Sequence, residues 1–417
     1  MLIILLVCTL LLLIIIGMPI FSSILFSSLT YLVFRGDIYP EIITQKLYSG
    51  IDKYSLLAIP LYIFAGNIIS SSCVGEKIIA FMKKVFGHFH GGMAISTILS
   101  SMFFSLISGS APATVLTVGR LSTQSMIDNG YSKNFTLGLI ISTGSLGIVI
   151  PPSIFLIVYG VVTGASVQEL FKYGALGGFI FGGLFMVCTA IYAYVQGYSR
   201  SNWGSFRELG QQARVSAPSL LLPIIVIVGI STGLTSPTEA GVIIIAYGLF
   251  LGCLVYKDLS PKSVFSIAVQ SALTCSQIMI IMAAASLLGW LIAESNVLSI
   301  VSSLFAGFNN LIIPLLLLNV MFLVLGMFID ITSLAVILSG IIVAISKSLD
   351  VSLVAIGVIM AITGAIGMFT PPFGLSLFVA REINDSSYAN TINSLKPFYA
   401  MSCFALLAVN LIILTIL

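Results

Sequence analysis

Twelve stretches of 16 to 35 residues in this 417-residue chain carry no Lys, Arg, Asp or Glu: 1–34, 54–75, 85–119, 134–168, 173–199, 215–238, 240–256, 263–293, 295–329, 331–346, 351–380 and 397–417. A straight helix across a hydrocarbon core needs about 20 apolar residues, so most of these stretches predict a membrane crossing. The whole chain has 17 Lys and Arg and 14 Asp and Glu, while 59% of its residues are hydrophobic. Too few charges remain to cover a soluble surface. The bilayer is therefore the solvent for most of the chain, which excludes a cytosolic enzyme, a nucleic-acid binder and a secreted disulfide scaffold. A net charge of +3 gives little attraction to a polyanion. Cys8, Cys73, Cys188, Cys253, Cys275 and Cys403 lack metal-ligand spacing and read as small buried hydrophobes. The run from Met1 has no basic n-region and stays apolar to Phe34, so it reads as a retained first span rather than a signal peptide.

Stretches 85–119, 134–168, 295–329 and 351–380 exceed one simple helix and contain or adjoin polar, Gly or Pro punctuation. They predict hairpins that turn back within the membrane, or helices broken midway. Such backbone cannot face lipid, where an unpaired polar group costs several kcal/mol, so it lines a cavity or packs in protein. Basic residues cluster at Lys77, Lys83, Lys84, then Arg200, Arg207, Arg214, and again at Lys257, Lys262. Those loops are cytoplasmic by the positive-inside rule, although the crossing count leaves orientation open.

The predicted fold class is an all-α polytopic membrane protein made of two repeats. Thr143-Gly-Ser-Leu-Gly-Ile-Val-Ile-Pro-Pro152 recurs as Thr363-Gly-Ala-Ile-Gly-Met-Phe-Thr-Pro-Pro372. Upstream of each lies another polar interruption, Ser105 to Val115 and Gly326 to Val336. Paired interruptions in a duplicated chain are the mark of a secondary transporter, with inverted repeats the favoured arrangement. The expected division is a first repeat over 1–197, a polar linker over 198–217 and a second repeat over 218–417. Hairpins are expected at about 92–118 and 311–346, and broken helices at about 134–163 and 352–380.

In each Thr-Gly-x-x-Gly…Pro-Pro segment the glycines permit departure from helical geometry, and the first proline removes an N–H and disfavours helix before it. The reading is an unwound stretch over 144–150 and 364–370, with a half-helix starting at the prolines. Clustered carbonyls and hydroxyls suit a small alkali cation, whereas helix N-termini favour an anion. Ser105, Ser108, Ser110 and Thr114 surround a Gly and a Pro and are candidate ion or substrate ligands. Asp330 is the only charge between Glu294 and Lys347. Intramembrane carboxylates mark function, yet Asp-Ile-Thr-Ser is also ordinary N-cap chemistry, and both readings stand. Arg120 reads as a snorkelling surface anchor, Glu239 as a first-turn charge, and His88 and His90 as loop residues. No Ser/His/Asp set, Walker loop or H-E-x-x-H motif is found. The reading is therefore not an enzyme, and transport has to draw on an ion gradient or another subunit.

These residues carry a family resemblance. Ser108-Gly-Ser-Ala-Pro-Ala-Thr-Val115, Gly147-Ile-Val-Ile-Pro-Pro-Ser153, Ser236-Pro-Thr-Glu-Ala-Gly241 and Gly367-Met-Phe-Thr-Pro-Pro-Phe-Gly374 stand in the order and spacing of the large membrane subunit of tripartite ATP-independent periplasmic (TRAP) transporters. The chain resembles that DctM-like family across essentially its whole length. The resemblance implies a multi-pass subunit of a bacterial inner membrane, with scaffold helices and an elevator-type transport domain. It implies sodium-coupled import of an organic acid, such as a C4-dicarboxylate or sialic acid, with Na+ as coupling ion and no cofactor. The implied partners are a periplasmic substrate-binding protein, a small four-helix membrane subunit (DctQ-like) and membrane lipid, with no nucleic acid. By the resemblance one sodium site uses Ser105, Ser108, Gly144, Gly147, Ile148 and Pro151. A second uses Gly326, Asp330, Gly364, Gly367, Met368 and Pro371. Substrate then lies between the hairpin tips, at Ser110, Pro112, Thr114, Ser153, Thr332, Thr370 and Ser376. The sequence departs from the family pattern at Ala111, where Gly is usual, and over 339–345, where prolines are usual. A self-sufficient sodium/carboxylate symporter of the wider ion-transporter superfamily is the alternative.

Overall fold

Among the described residues, eight helices begin on a Ser or Asp whose side chain accepts a main-chain N–H, satisfying donors that have no partner inside the helix. The computed structural model describes residues 2–36, 40–198, 205–295, 297–308, 310–381, 383 and 388–416, and among them regular structure is entirely helical. The first half of the chain forms α1 (Leu2–Ile15), α2 (Ile20–Arg35), α3 (Pro40–Ile51), α4 (Ala58–Ser70), α5 (Val74–Phe86), α6 (Gly92–Ser108), α7 (Ala111–Asp128), α8 (Lys133–Gly144), α9 (Ile154–Thr163) and α10 (Val167–Val195). The second half forms α11 (Phe206–Ser231), α12 (Pro237–Leu249), α13 (Pro261–Glu294), α14 (Val297–Ala306), α15 (Ile312–Gly326), α16 (Ile331–Leu349), α17 (Leu353–Gly367), α18 (Leu375–Arg381) and α19 (Tyr388–Ile416).

Six of these helices are long and apolar enough to cross a bilayer: α10, α11, α12 with the π-helical turn Phe250–Val255, α13, α16 and α19. A seventh crossing results if α3 and the segment Tyr54–Ser70, bent by 52°, count as one. A helix that is apolar all round belongs in the interior, and α8 and α17 obey this. Every residue from Phe135 to Gly144 and from Val354 to Gly367 is buried. Around them pack α6, α7, α10, α15 and α19. By contrast α1, α11, α13 and α15 leave large apolar side chains exposed, among them Leu12, Leu221, Phe265 and Leu316, as lipid-facing surface requires. The long α13 lies between two groups, against α2, α3 and α4 on one side and α16 on the other.

Several expectations need correction. The first apolar run is two helices packed on each other rather than one span, and Gly17, at φ +88°, makes the turn that a side chain would strain. The polar segment expected as a linker is helical from Phe206, because Ser205 caps α11 and polarity alone does not prevent a capped helix end. Arg200, within that segment, lies outside the described residues. The second arm of the first helix pair, α7, runs to Asp128 instead of ending near residue 118. Its polar C-terminal turns extend past the apolar run, and Arg120 within them is exposed. The six cysteines are free, but Cys8 and Cys403 are exposed and the other four half-buried. In lipid an apolar run gives no inward preference to a small side chain, so burial did not follow from it.

Candidate functional site

Two helix pairs turn back at glycine-containing tips. In the first, α6 ends at Ser108 and Gly109 takes φ +60°. A Cβ there would stand 2.3 Å from the Pro152 carbonyl oxygen, so conformation and contact both demand glycine. Ser110, at the N-cap position of α7, is extended and makes no side-chain cap bond. Ser108 Oγ lies 2.9 Å from Thr114 Oγ1, which also bonds the Ser110 carbonyl at 2.9 Å. Ser105 Oγ donates to the Ser101 carbonyl at 2.6 Å. In the second pair, α15 ends at Gly326 and α16 starts after Asp330, whose carboxylate accepts the N–H groups of Thr332 and Ser333 at 3.0 and 3.2 Å. Capping is thus a role Asp330 performs. The absence of proline over 339–345 leaves α16 one unbroken helix.

The breaks lie later than expected. Gly144 is helical, at φ −64° and ψ −27°, and a 3-10 turn continues through Ser145–Ile148. Val149 is still right-handed helical, so the chain leaves helical geometry only over 150–153, and α17 likewise runs through Gly367. Nor do the half-helices begin at the prolines: α9 starts at Ile154 under the cap of Ser153, and α18 at Leu375. Both Pro-Pro bonds, Pro151-Pro152 and Pro371-Pro372, are cis. The glycines of Thr-Gly-x-x-Gly therefore serve contact more than unwinding. A Cβ on Gly147 would sit 2.6 Å from the Ser110 oxygen, and one on Gly144 2.5 Å from Val115 Cγ2. A Cβ on Gly364 would meet Ile331 Cγ1 at 2.4 Å, and one on Gly367 the Gly326 carbonyl carbon at 3.1 Å. In both halves a helix-pair tip lies directly on a break.

The two tips, the two breaks and α13 border an open cavity of about 320 Å³. Ser110 and Pro112 reach it from the first tip, Asp330 and Thr332 from the second, and Ile148 and Met368 from the breaks. The remaining expected residues lie behind that lining. Ser153 is buried, donating to the Ile148 carbonyl at 2.6 Å while capping α9. Ser376 is buried against Ser145, 3.2 Å between hydroxyls, and its N–H donates to the Met368 carbonyl at 2.9 Å. Thr370 bonds back to the Ile366 carbonyl at 2.6 Å. Ser105, Ser108 and Thr114 are buried beneath the first tip. Gly144, Gly147, Gly326, Gly364 and Gly367 supply close backbone contact, beside Pro151 and Pro371 at the cis bonds. Among the described residues no three His, Cys, Asp or Glu side chains come together. The oxygens available to a cation here are carbonyls, hydroxyls, the Gln277 amide and the Asp330 carboxylate.

Sequence reasoning missed three features. Thr363 Oγ1 donates to Asn319 Oδ1 at 2.8 Å, and Thr143 Oγ1 lies 3.2 Å from Ser101 Oγ. The repeated Thr thus ties each break to the first arm of its helix pair, and Asn319, an amide within an apolar run, was the available signal. Thr274 and Gln277 on α13 also line the cavity, three residues apart on one helix face.

The sequence profile described as tripartite ATP-independent periplasmic transporter, DctM component, matches residues 7–414. The chain is 32% identical over 401 residues to the isethionate TRAP transporter permease protein DctMQ of Oleidesulfovibrio alaskensis, covering 94% of this chain and 62% of that longer protein. It is 30% identical to the C4-dicarboxylate TRAP transporter large permease protein DctM of Vibrio cholerae, covering 95% of this chain and 92% of the relative. To the sialic acid TRAP transporter large permease protein SiaM of the same organism it is 31% identical, over 91% and 90%. Its fold is similar to the crystal structure of the YdaH transporter of Alcanivorax borkumensis, with TM-score 0.58, 14% identity and coverage of 89% and 86%.

Proposed function

The chain belongs to the DctM family of tripartite ATP-independent periplasmic transporter components, and from that premise we propose that it is the large membrane subunit for sodium-coupled import of an organic acid. The carrying observation is the cavity bounded by both tips and both breaks. On its wall α7 begins without a side-chain cap, and unsatisfied N–H groups at a helix N-terminus attract a carboxylate. The buried hydroxyls of Ser105 and Ser108, with the first break, form one sodium site in this reading. Gly326, Asp330 and the second break form the other. At each break the last carbonyl, Ile148 or Met368, already accepts one hydrogen bond and keeps a second lone pair for a cation. Sodium beside the cavity offsets the charge of Asp330, so that an anion is tolerated near it.

The two halves are read as inverted repeats. The α6–α7 hairpin has its open end beside the basic α5, since Lys83 Nζ donates to the Leu121 carbonyl and to Ser125 Oγ. At that end too, Lys84 pairs with Glu208 at the start of α11, and Asp258 accepts the Cys73 N–H. The α15–α16 hairpin enters from the other end, with α9 along α16. By the positive-inside rule the basic end is cytoplasmic. In the elevator reading the hairpins and broken helices move together against a scaffold that includes α13. Import requires a periplasmic binding protein and a small membrane subunit.

The test is uptake into proteoliposomes across a panel of organic acids, with and without a sodium gradient. Uptake is expected only with both partners and only with the gradient. Sodium-driven uptake by this polypeptide alone would establish the self-sufficient symporter instead. Gradient-independent uptake would remove the coupling.

A further inference from the structure

Two more cavities continue from the tip cavity toward the end of the molecule remote from the basic α5. The nearer, about 300 Å³, shares Met282 and Val336 with the tip cavity. The farther, about 440 Å³, shares Lys53 with the nearer one. Met282 and Val336, each 3% exposed, stand between the tip cavity and its neighbour. The farther cavity lies where α9 ends and where α10 and α12 begin, a level tied together by a Gln168 Nε2 bond to the Ile230 carbonyl at 3.3 Å.

Lys53 is the only charged side chain among the described residues lining either of these two cavities. Its Nζ donates to the Val161 carbonyl near the end of α9, at 3.1 Å. Lysine at a helix C-terminus is ordinary capping chemistry, but capping alone does not require a place in the walls of two cavities. The helix N-termini at the same level are already satisfied. Ser166 caps α10, and Ser236 with Glu239 forms a reciprocal box on α12 that holds the Glu239 carboxylate. Asp52, Glu169 and Glu239 adjoin the lining without forming part of it, so Lys53 is the charge that faces this space. Charge of one sign in a cleft with low-dielectric walls concentrates the opposite ion.

We propose that Lys53 is the anion-collecting residue of an access route. Carboxylate-bearing cargo passes along it from the membrane face remote from the basic α5 to the tip cavity, with Met282 and Val336 as the gate. This rests on the reading of the tip cavity as the cargo site.

The test uses full-length Ser339→Cys protein, whose residue 339 lines the nearer cavity, in membrane vesicles of known sidedness. Anionic sulfonatoethyl and cationic trimethylammonioethyl methanethiosulfonates are compared, each rate normalised to that of a free small thiol. Modification of residue 339 is followed by peptide mass spectrometry, so that native cysteines do not interfere. From the face remote from the basic α5, the anionic reagent is expected to be favoured by roughly threefold or more. Adding Lys53→Gln, which keeps an amide donor for Val161, should bring the ratio to about one, and Lys53→Arg should preserve it. An unchanged ratio in Lys53→Gln, modification only from the basic face, or no modification by either reagent would each overturn the proposal. Because labelling needs no transport, absence of sodium-driven uptake with an intact labelling pattern would refute the functional reading and leave the route standing.

Discussion

Gly147 shows how a single position carries the site. Its Cβ would penetrate the main chain of the first tip, which cannot rotate away as a side chain would. Gly147→Ala is expected to push that tip off the break, costing about 1–3 kcal/mol in the manner of overpacked cores and abolishing sodium-dependent uptake. Gly183→Ala is the matched control. That glycine sits in α10 where a Cβ would meet nothing within 4 Å, so substitution should be neutral or stabilising by up to about 1 kcal/mol. Thermal unfolding in detergent, paired with uptake, separates the two variants. Equal behaviour would show that tip and break do not need their close approach. The sequence announced these glycines by their repetition but misassigned their purpose. A Gly-x-x-Gly spacing is the same whether it frees the backbone or admits a neighbour. Only the identity of that neighbour decides, and it comes from a distant part of the chain.

Between elements, the recurring device is a hydroxyl of the broken helix reaching the first arm of the adjacent hairpin. The Asn319–Thr363 pair joins α15 to α17, and both residues are buried. Hydrogen bonds between helices in a bilayer average about 0.6 kcal/mol and reach about 1.7. A double-mutant cycle of Asn319→Leu and Thr363→Val should return coupling near the average, since the Thr363 hydroxyl can also donate to the Ile359 carbonyl, 2.9 Å away, and the Asn319 amide already donates to the Leu315 carbonyl. A coupling indistinguishable from zero would mean that apolar packing alone holds α15 on α17. The breaks and tips were legible in outline because Gly, Pro and isolated polar residues stand out in apolar sequence. What escaped was anything fixed by a partner far along the chain. Ser145 reads as one more helix hydroxyl until Ser376 is found beside it. Gln277 reads as a stray amide in a long helix until the cavity is seen. The split of α1 from α2 was missed because one Gly and one Pro in an apolar run also fit a kinked span.

For the molecule as a whole, the two proposed ion sites differ from ordinary surface sites in what they join. Each is built from a hairpin tip and a break that are far apart in sequence, so an ion bound there holds together elements that unfolding separates. Binding to the folded state alone stabilises by mass action, about 2.7 kcal/mol per site at a hundred times the dissociation constant. The purified chain should therefore melt at a higher temperature in sodium than in potassium at equal ionic strength. Asp330→Asn divides the effect by cause. Asparagine caps a helix as well as aspartate does, so melting in potassium should stay close to that of the unaltered chain. Without the carboxylate the second site loses its only charge, and the sodium-specific increment should shrink while the part belonging to the first site remains. Identical melting in the two salts would refute sodium sites in the isolated chain. A full sodium increment in Asp330→Asn would leave capping as the sole role of that carboxylate.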